Sequence, residues 1–286
     1  MSRLHVEQPG ALALVEDLGR PGLAHLGVAA SGALDRGALS LANRLVGNPD
    51  DAAGLELLVG GFRARFEGEV WFAVAGALGG IRLDGRAIAP YTAVRAPDGA
   101  VLEVGMAERG IRYLLAVRGG LDVPAVLGSR SRDTLAALGP DPVGPGSVFE
   151  LGAEPEASVP VVGNDVAFPP SQGAVTLALH AGPRADWFTD ASRAALFETE
   201  WALSEQADRI GARLVGPALD RICPGELPSE ATVPGSIQVA GDGQPTILLA
   251  DRPVTGGYPV IAIVARASLD AVAQLRPGQA VRFRHA

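Results

Sequence analysis

Glycine and proline punctuate this chain throughout, 37 and 22 of them in 286 residues, and that interruption rules out a bundle of long helices. The apolar runs left between them are short and rich in Val, Ile, Leu and aromatics. Residues 70–75, 113–117, 174–179, 246–250 and 260–264 read as buried strands. Two further strands, 147–151 and 280–283, lie just after Pro-Gly pairs. Helical spacing is rarer. Leu34, Ala38, Leu41, Ala42 and Leu45 fall on one helical face, with Gly47 and Asn48 as a stop. Residues 186–197 and 268–275 read likewise, capped by Asp186 and Ser268. The expected fold is mainly β with a few short helices.

A content of 48% hydrophobic against 20% charged residues is ample for two packed cores. The stretch 141–172 is crowded with Pro, Gly and acidic residues, which places domains at 1–168 and 169–286. A faint internal echo, strand then Gly-Gly turn, Pro and short helix, relates 113–139 to 247–275. The net charge of −8, without any basic run, excludes nucleic-acid binding as the main role. All 24 basic residues are Arg. A chain without Lys houses neither a Walker-type phosphate loop nor a pyridoxal Schiff base. The single Cys223 makes no intrachain disulfide, the opening MSRLHVEQPG lacks the apolar core of a signal peptide, and no apolar run is long enough to span a bilayer. The expectation is a cytoplasmic protein without membrane contact.

Three segments gather polar residues among glycines. In the first, EDLGRPG at 16–22 is followed by His25, the loop 27–35 with Ser31 and Asp35, and Asn43. It is either a turn leading to a helix capped by Asp35, or a glycine-lined loop that offers an imidazole, a hydroxyl and a carboxylate at a helix start. In the second, SEQADRIGARLVGP at 204–217, Arg209 and Arg213 are four apart and share a face in either a helix or a strand, suiting carboxylate or phosphate recognition unless they pair with Glu205 or Asp208. In the third, GSIQVAGDGQPTILLADRPVTGGYP at 235–259, a hairpin leads into a loop of Thr255, Gly256, Gly257 and Tyr258, and Gln238, Gln244 and Asp251 offer amide and carboxylate groups. A Tyr-Pro step raises the chance of a cis peptide. The four His and one Cys lack metal-ligand spacing and no GxSxG elbow occurs, so neither a metal nor a serine-hydrolase site is expected.

The same segments carry a family resemblance. EDLGRPGLAHLGVAASGALDRGALSLANRLVGN, RYLLAVRGGLDVPAVLGSRS, DRIGARLVGP, GSIQVAGDGQPTILLAD, TGGYPVIAIV and AQLRPGQAVRF resemble, in order from about residue 10 to residue 283, a family known under several labels: KipA, allophanate hydrolase subunit 2, biotin-dependent carboxyltransferase, and the C component of 5-oxoprolinase. Local departures are Ala29 for Pro, Leu34 for Met, Arg132 for Thr, and Pro253-Val254 for Gln-Thr. The resemblance implies two cyclophilin-like β-barrel domains. It also implies a hydrolase of cyclic amide C–N bonds that works only in a complex with a KipI-like B component and the A component of 5-oxoprolinase, opening 5-oxoproline to glutamate at the expense of ATP. On that resemblance Arg209 and Arg213 clamp a carboxylate or phosphate, and the amides of 255–258 meet the oxyanion. Gln238, Gln244 and Asp251 orient water or the ring nitrogen, His25 or Asp35 carries a proton, and Ser31 and Asn43 line the substrate. Two alternatives stand beside it. One is carboxyl transfer to a urea-like substrate from a separate biotinyl carrier, since a Lys-free chain cannot carry biotin. The other is a KipA-like regulator that binds a KipI-like kinase inhibitor.

Overall fold

The computed structural model describes residues 2–286 except 161–168, 171–172, 224 and 226, so the expected boundary after residue 168 abuts residues outside the described ones. The chain divides into two compact units. Unit 1 comprises Met1–Arg20, Ser31–Asp133 and Ala137–Pro169; unit 2 comprises Pro21–Ala30, Thr134–Ala136 and Pro170–Ala286.

Among the described residues, unit 1 is a curled nine-stranded sheet with one helix. Its strands are β1 (Arg3–Pro9), β2 (Leu12–Glu16), β3 (Gly54–Leu58), β4 (Phe62–Glu67), β5 (Val70–Leu83), β6 (Arg86–Ala87), β7 (Val94–Ala96), β8 (Val101–Val117) and β9 (Val148–Glu150), with α1 (Arg36–Leu45) after β2. They run β2-β3-β8-β4-β1-β9, with β5 paired to β6, β7 and β8. The β5–β8 pair explains the continuous apolar runs in the sequence, because both of its faces are buried. Phe72 and Val74 with Tyr113, Leu115 and Val117 enter the sheet's own core beside Leu4, Phe62 and Phe66. Ala73, Ala75, Leu114 and Ala116 alternate with them and receive Leu39, Ala42 and Leu45 of α1. Small residues on that face let the helix lie close.

Asp35 is the N-cap of α1 and accepts from the Ala38 N–H at 2.9 Å. Asp35→Ala should therefore cost about 1 kcal/mol of stability, read as a lower urea midpoint.

Across the sheet runs a seam of glycines. A Cβ on Gly10 would strike the carbonyl of Gly60, one on Gly60 the carbonyl of Gly105, and one on Gly105 the carbonyl of Gly80 at 2.8 Å. On the outer face, Arg63 and Arg65 both pair with Glu7, and Arg63 also with Glu103. The Arg63 guanidinium, by its hydrogen bond, holds the Glu7 carboxyl below its ordinary range.

Unit 2 is built around a closed seven-stranded barrel ordered β10-β17-β14-β15-β12-β11-β18. The strands are β10 (Val175–Ala181), β11 (Trp201–Ala207), β12 (Gly211–Val215), β14 (Ser236–Val239), β15 (Pro245–Leu248), β17 (Val260–Val264) and β18 (Ala280–His285). The barrel closes through the parallel pairing of β10 with β18. Leu177, Leu179, Trp201, Leu214, Ile237, Ile247, Val260 and Val281 are buried. Outside the barrel are the helices α2 (Asp190–Glu198) and α3 (Arg266–Ala273) and a two-stranded ribbon, β13 (Glu230–Ala231) with β16 (Thr255–Gly256).

Some details correct the sequence reading. The helix expected at 186–197 breaks into a 3-10 turn, Ala185–Trp187, and α2, which is capped by Thr189 and not by Asp186. Ser268 lies inside α3, where its Oγ accepts from the Ala178 N–H, and the cap position is Ala265. The echo fails in its first copy, since 118–139 holds no helix. No cis peptide occurs among the described residues. No helix among them is long and apolar enough to cross a membrane.

Candidate functional site

The predicted residues fall into two groups, Ser31, Asp35 and Asn43 in unit 1 and the remainder in unit 2.

In unit 1 the EDLGRPG segment is tied down by Asp17. Its carboxylate accepts from the Gly19 N–H, the hydroxyls of Ser129 and Ser131, and the Arg130 N–H, all at 2.6–2.7 Å. The segment is thus fixed to the Gly-Ser-Arg-Ser turn rather than left as a flexible loop. Gly32 (φ +92°) packs so closely that a Cβ would meet the Gly19 nitrogen at 2.8 Å. Ser31 beside it is buried at φ 55° and donates to the Arg132 carbonyl. Left-handed backbone at a non-glycine residue is strain, held here by the packed turn.

Asp35 is near-buried at the helix start. Tyr91, at φ 57°, donates its phenol to the Gly76 carbonyl; burial first, and then the Asp35 charge, push that phenol far above its ordinary pKa. Tyr91 was not anticipated from sequence, because a lone Tyr after Pro carries no motif. Asn43 is fully buried and donates to the Asp50 and Ala52 carbonyls at 3.3 and 2.8 Å. That makes it a scaffold for the helix end and takes it off a substrate-lining surface.

In unit 2 the central element is a buried ion pair. Arg209 Nε and Nη2 donate to Asp251 Oδ2 and Oδ1 at 2.9 and 3.2 Å, and Oδ2 also accepts from the Thr134 N–H and hydroxyl. The pair is 3% and 0% exposed. With both oxygens engaged in this way, Asp251 holds the Arg209 guanidinium in place. Arg213 is elsewhere: it pairs with Asp242 at the surface. The expected common face is lost because the Asp208 side chain accepts from Ile210 and Gly211 and turns the chain between the two arginines. Gln244 spends its amide on the backbone of Gly216, accepting from its N–H and donating to its carbonyl. In this position it tethers the hairpin.

Of the predicted residues outside the Thr255–Tyr258 loop, Gln238 meets it directly. Gln238 is 7% exposed and donates from Nε2 to the Tyr258 carbonyl at 3.1 Å. It lies under Gly256 so closely that a Cβ there would come within 2.7 Å of its amide nitrogen. Gly257 follows the ribbon, and Tyr258 presents its ring to solvent at 52% exposure. Glycine at 256 is therefore a packing requirement as well as a means of backbone access. His25 is exposed in the 3-10 turn Ala24–Leu26, with Nδ1 3.1 Å from the Gly22 carbonyl.

A family model described as carboxyltransferase domain, subdomain A and B, matches residues 26–285. The chain belongs to this carboxyltransferase-domain family. Among curated relatives of the domain, the C component of the 5-oxoprolinase of Escherichia coli K12 is 36% identical over 98% of this chain and 90% of its own length. Its counterpart in the 5-oxoprolinase of Haemophilus influenzae is 33% identical over 95% and 87%. Among solved structures, the Kluyveromyces lactis urea amidolyase superimposes with a TM-score of 0.94 at 29% identity, covering 99% of this carboxyltransferase-domain chain. The chain spans only 18% of the amidolyase, however. The mainly β expectation holds, with unit 2 a closed barrel and unit 1 a curled sheet.

Proposed function

We propose that this chain is the C component of an ATP-dependent 5-oxoprolinase, active in a complex with the A component and a KipI-like B component. The observation that carries the reading is the match to two 5-oxoprolinase C components along nearly the full length of each aligned pair. ATP chemistry suits the reaction, since a lactam carbonyl is a poor electrophile and phosphorylating its oxygen creates a leaving group. The residues of this chain favour placing the nucleotide on another component of the complex. It has no Lys, and Arg209 and Arg213 are each already paired with a carboxylate.

This chain's contribution would then be to bind and orient the ring. The loop Thr255–Gly256–Gly257–Tyr258 offers backbone N–H groups to the developing oxyanion, Gln238 sets the loop from beneath, and the Asp251–Arg209 pair holds the strand end that feeds it. Within the same unit, the exposed His25 is the proposed proton carrier.

The test is glutamate release from 5-oxoproline and ATP by the three co-expressed components, with each omitted in turn. Release is expected only from the full set. Unchanged release without this chain, or none from the full set, would reject the proposal.

A second reading, carboxyl transfer from a biotinyl carrier to a urea-like substrate, is favoured by the family description and by the 0.94 superposition on the amidolyase. Carboxylation of urea from an added carrier bearing carboxybiotin, with free biotin carrier as the other product and no glutamate release from 5-oxoproline, would establish it.

A further inference from the structure

Directly after the paired Asp251 comes Arg252, 6% exposed. Its Nη2 donates to the Thr232 carbonyl at 3.1 Å. Its Nε and Nη1 are buried and, among the described residues, have no hydrogen-bond partner. Burial alone acts on its pKa, and lowers it. A guanidinium taken out of water with one neutral acceptor is an unbalanced charge, and a buried cation is ordinarily matched by an anion.

The Thr232 carbonyl that holds this residue sits at the end of a slight element. The β13–β16 ribbon is two residue pairs, Glu230 with Gly256 and Ala231 with Thr255. At one end Thr232 pins it: its N–H donates to Val254 O at 2.9 Å and its hydroxyl to Pro253 O at 2.6 Å. The carbonyl of this same Thr232 is the one that receives Arg252. On the other side the ribbon is held by a side-on pair between Arg184 and Glu230, both about one-third exposed, and by the Gln238 bond to Tyr258. So short a ladder, latched by a solvent-screened ion pair, opens far more readily than the barrel beneath it.

We propose that Arg252 is a carboxylate-binding residue, covered by the ribbon in the free chain and reached when the Arg184–Glu230 latch lets the ribbon lift. The ligand that fits is small and carries one carboxylate. On the 5-oxoprolinase reading, on which this identification rests, it is the ring carboxylate of 5-oxoproline, which the reaction leaves intact. The carboxylate supplies the missing counter-charge and an acceptor for the idle N–H groups. Lifting the ribbon also frees the Thr255–Tyr258 loop to close over the ring.

The full-length chain should bind 5-oxoproline in calorimetry and should not bind 2-pyrrolidinone, the same ring without the carboxylate. Arg252→Met should weaken 5-oxoproline binding about 100-fold while keeping or raising the melting temperature, because it removes an uncompensated buried charge. Arg252→Lys should weaken it less, and Glu230→Gln should strengthen it by releasing the latch. Equal binding of both rings, unchanged binding in Arg252→Met, no binding by the wild type, or binding of inorganic phosphate instead would each overturn the assignment. A lower melting temperature for Arg252→Met marks a structural guanidinium and overturns it as well. Glutamate release by the wild-type complex is scored separately: its absence rejects the 5-oxoprolinase reading, and its presence beside unaltered Arg252→Met binding rejects only the role of Arg252.

Discussion

Asp251→Ala should destabilise the protein by about 3–5 kcal/mol, a large part of what holds an ordinary domain folded. The carboxylate is fully buried and serves Arg209 through two contacts and Thr134 through two more. Its removal leaves the Arg209 guanidinium buried and without its carboxylate, and this, more than the lost attraction, sets the cost. The double variant Arg209→Met, Asp251→Leu should recover part of the loss, since two apolar groups need no counter-charge, while the Thr134 N–H and hydroxyl still lose their acceptor. Urea unfolding of the three variants tests the claim. A single substitution costing under about 1 kcal/mol would place the pair among weak surface bridges. Because the pair holds the strand end before the Thr255–Tyr258 loop, activity of the complex should fall with Asp251→Ala at temperatures where the variant remains folded.

Gly60→Ala should cost more than about 4 kcal/mol, beyond the usual range for a single change. Two penalties coincide at this position. Its φ of +103° is one that an L side chain rarely adopts, and a Cβ would overlap the Gly105 carbonyl, which belongs to backbone and cannot rotate away. Gly99 is the control. It also has positive φ, +77°, but a Cβ there would meet nothing within 4 Å. Gly99→Ala should carry only the conformational penalty, about 1–2 kcal/mol. Similar losses at the two positions, measured as shifts in urea midpoint at constant slope, would refute the close-approach explanation.

Much of this architecture could be read from the residues, for reasons visible in particular strands. The runs 70–75 and 113–117 stood out because the paired halves of β5 and β8 are buried on both faces, one row in the sheet core and the other under α1. The remaining halves did not. From Gly76 to Ile81 the β5 register shifts repeatedly, and on β8 charged residues such as Glu103 and Glu108 break the apolar run, so 14- and 17-residue strands looked less than half their length.

The candidate site was legible as a set of segments and less so as roles. Spacing put Arg209 and Arg213 together, and a side-chain turn at Asp208 separated them. Asn43 and Gln244 carry the right groups for recognition yet satisfy backbone instead. Arg252 lay within the polar stretch 235–259 and passed as an ordinary charge, because sequence does not reveal which guanidinium lacks a counter-ion.

The interleaving of the two units constrains how the chain is made. Pro21–Ala30 and Thr134–Ala136 are counted with unit 2 although they are synthesised within the first half of the chain. Asp251 gains two of its donors from Thr134, so the barrel assembled from residues 170–286 alone would lack them. Vectorial synthesis therefore delivers two pieces of unit 2 long before the strands that receive them. The early segment is without the rest of its unit until the second half of the chain has been made. Splitting the gene at the Pro169–Pro170 junction should for that reason yield two fragments that fold poorly apart, where a simple tandem of domains would tolerate the cut.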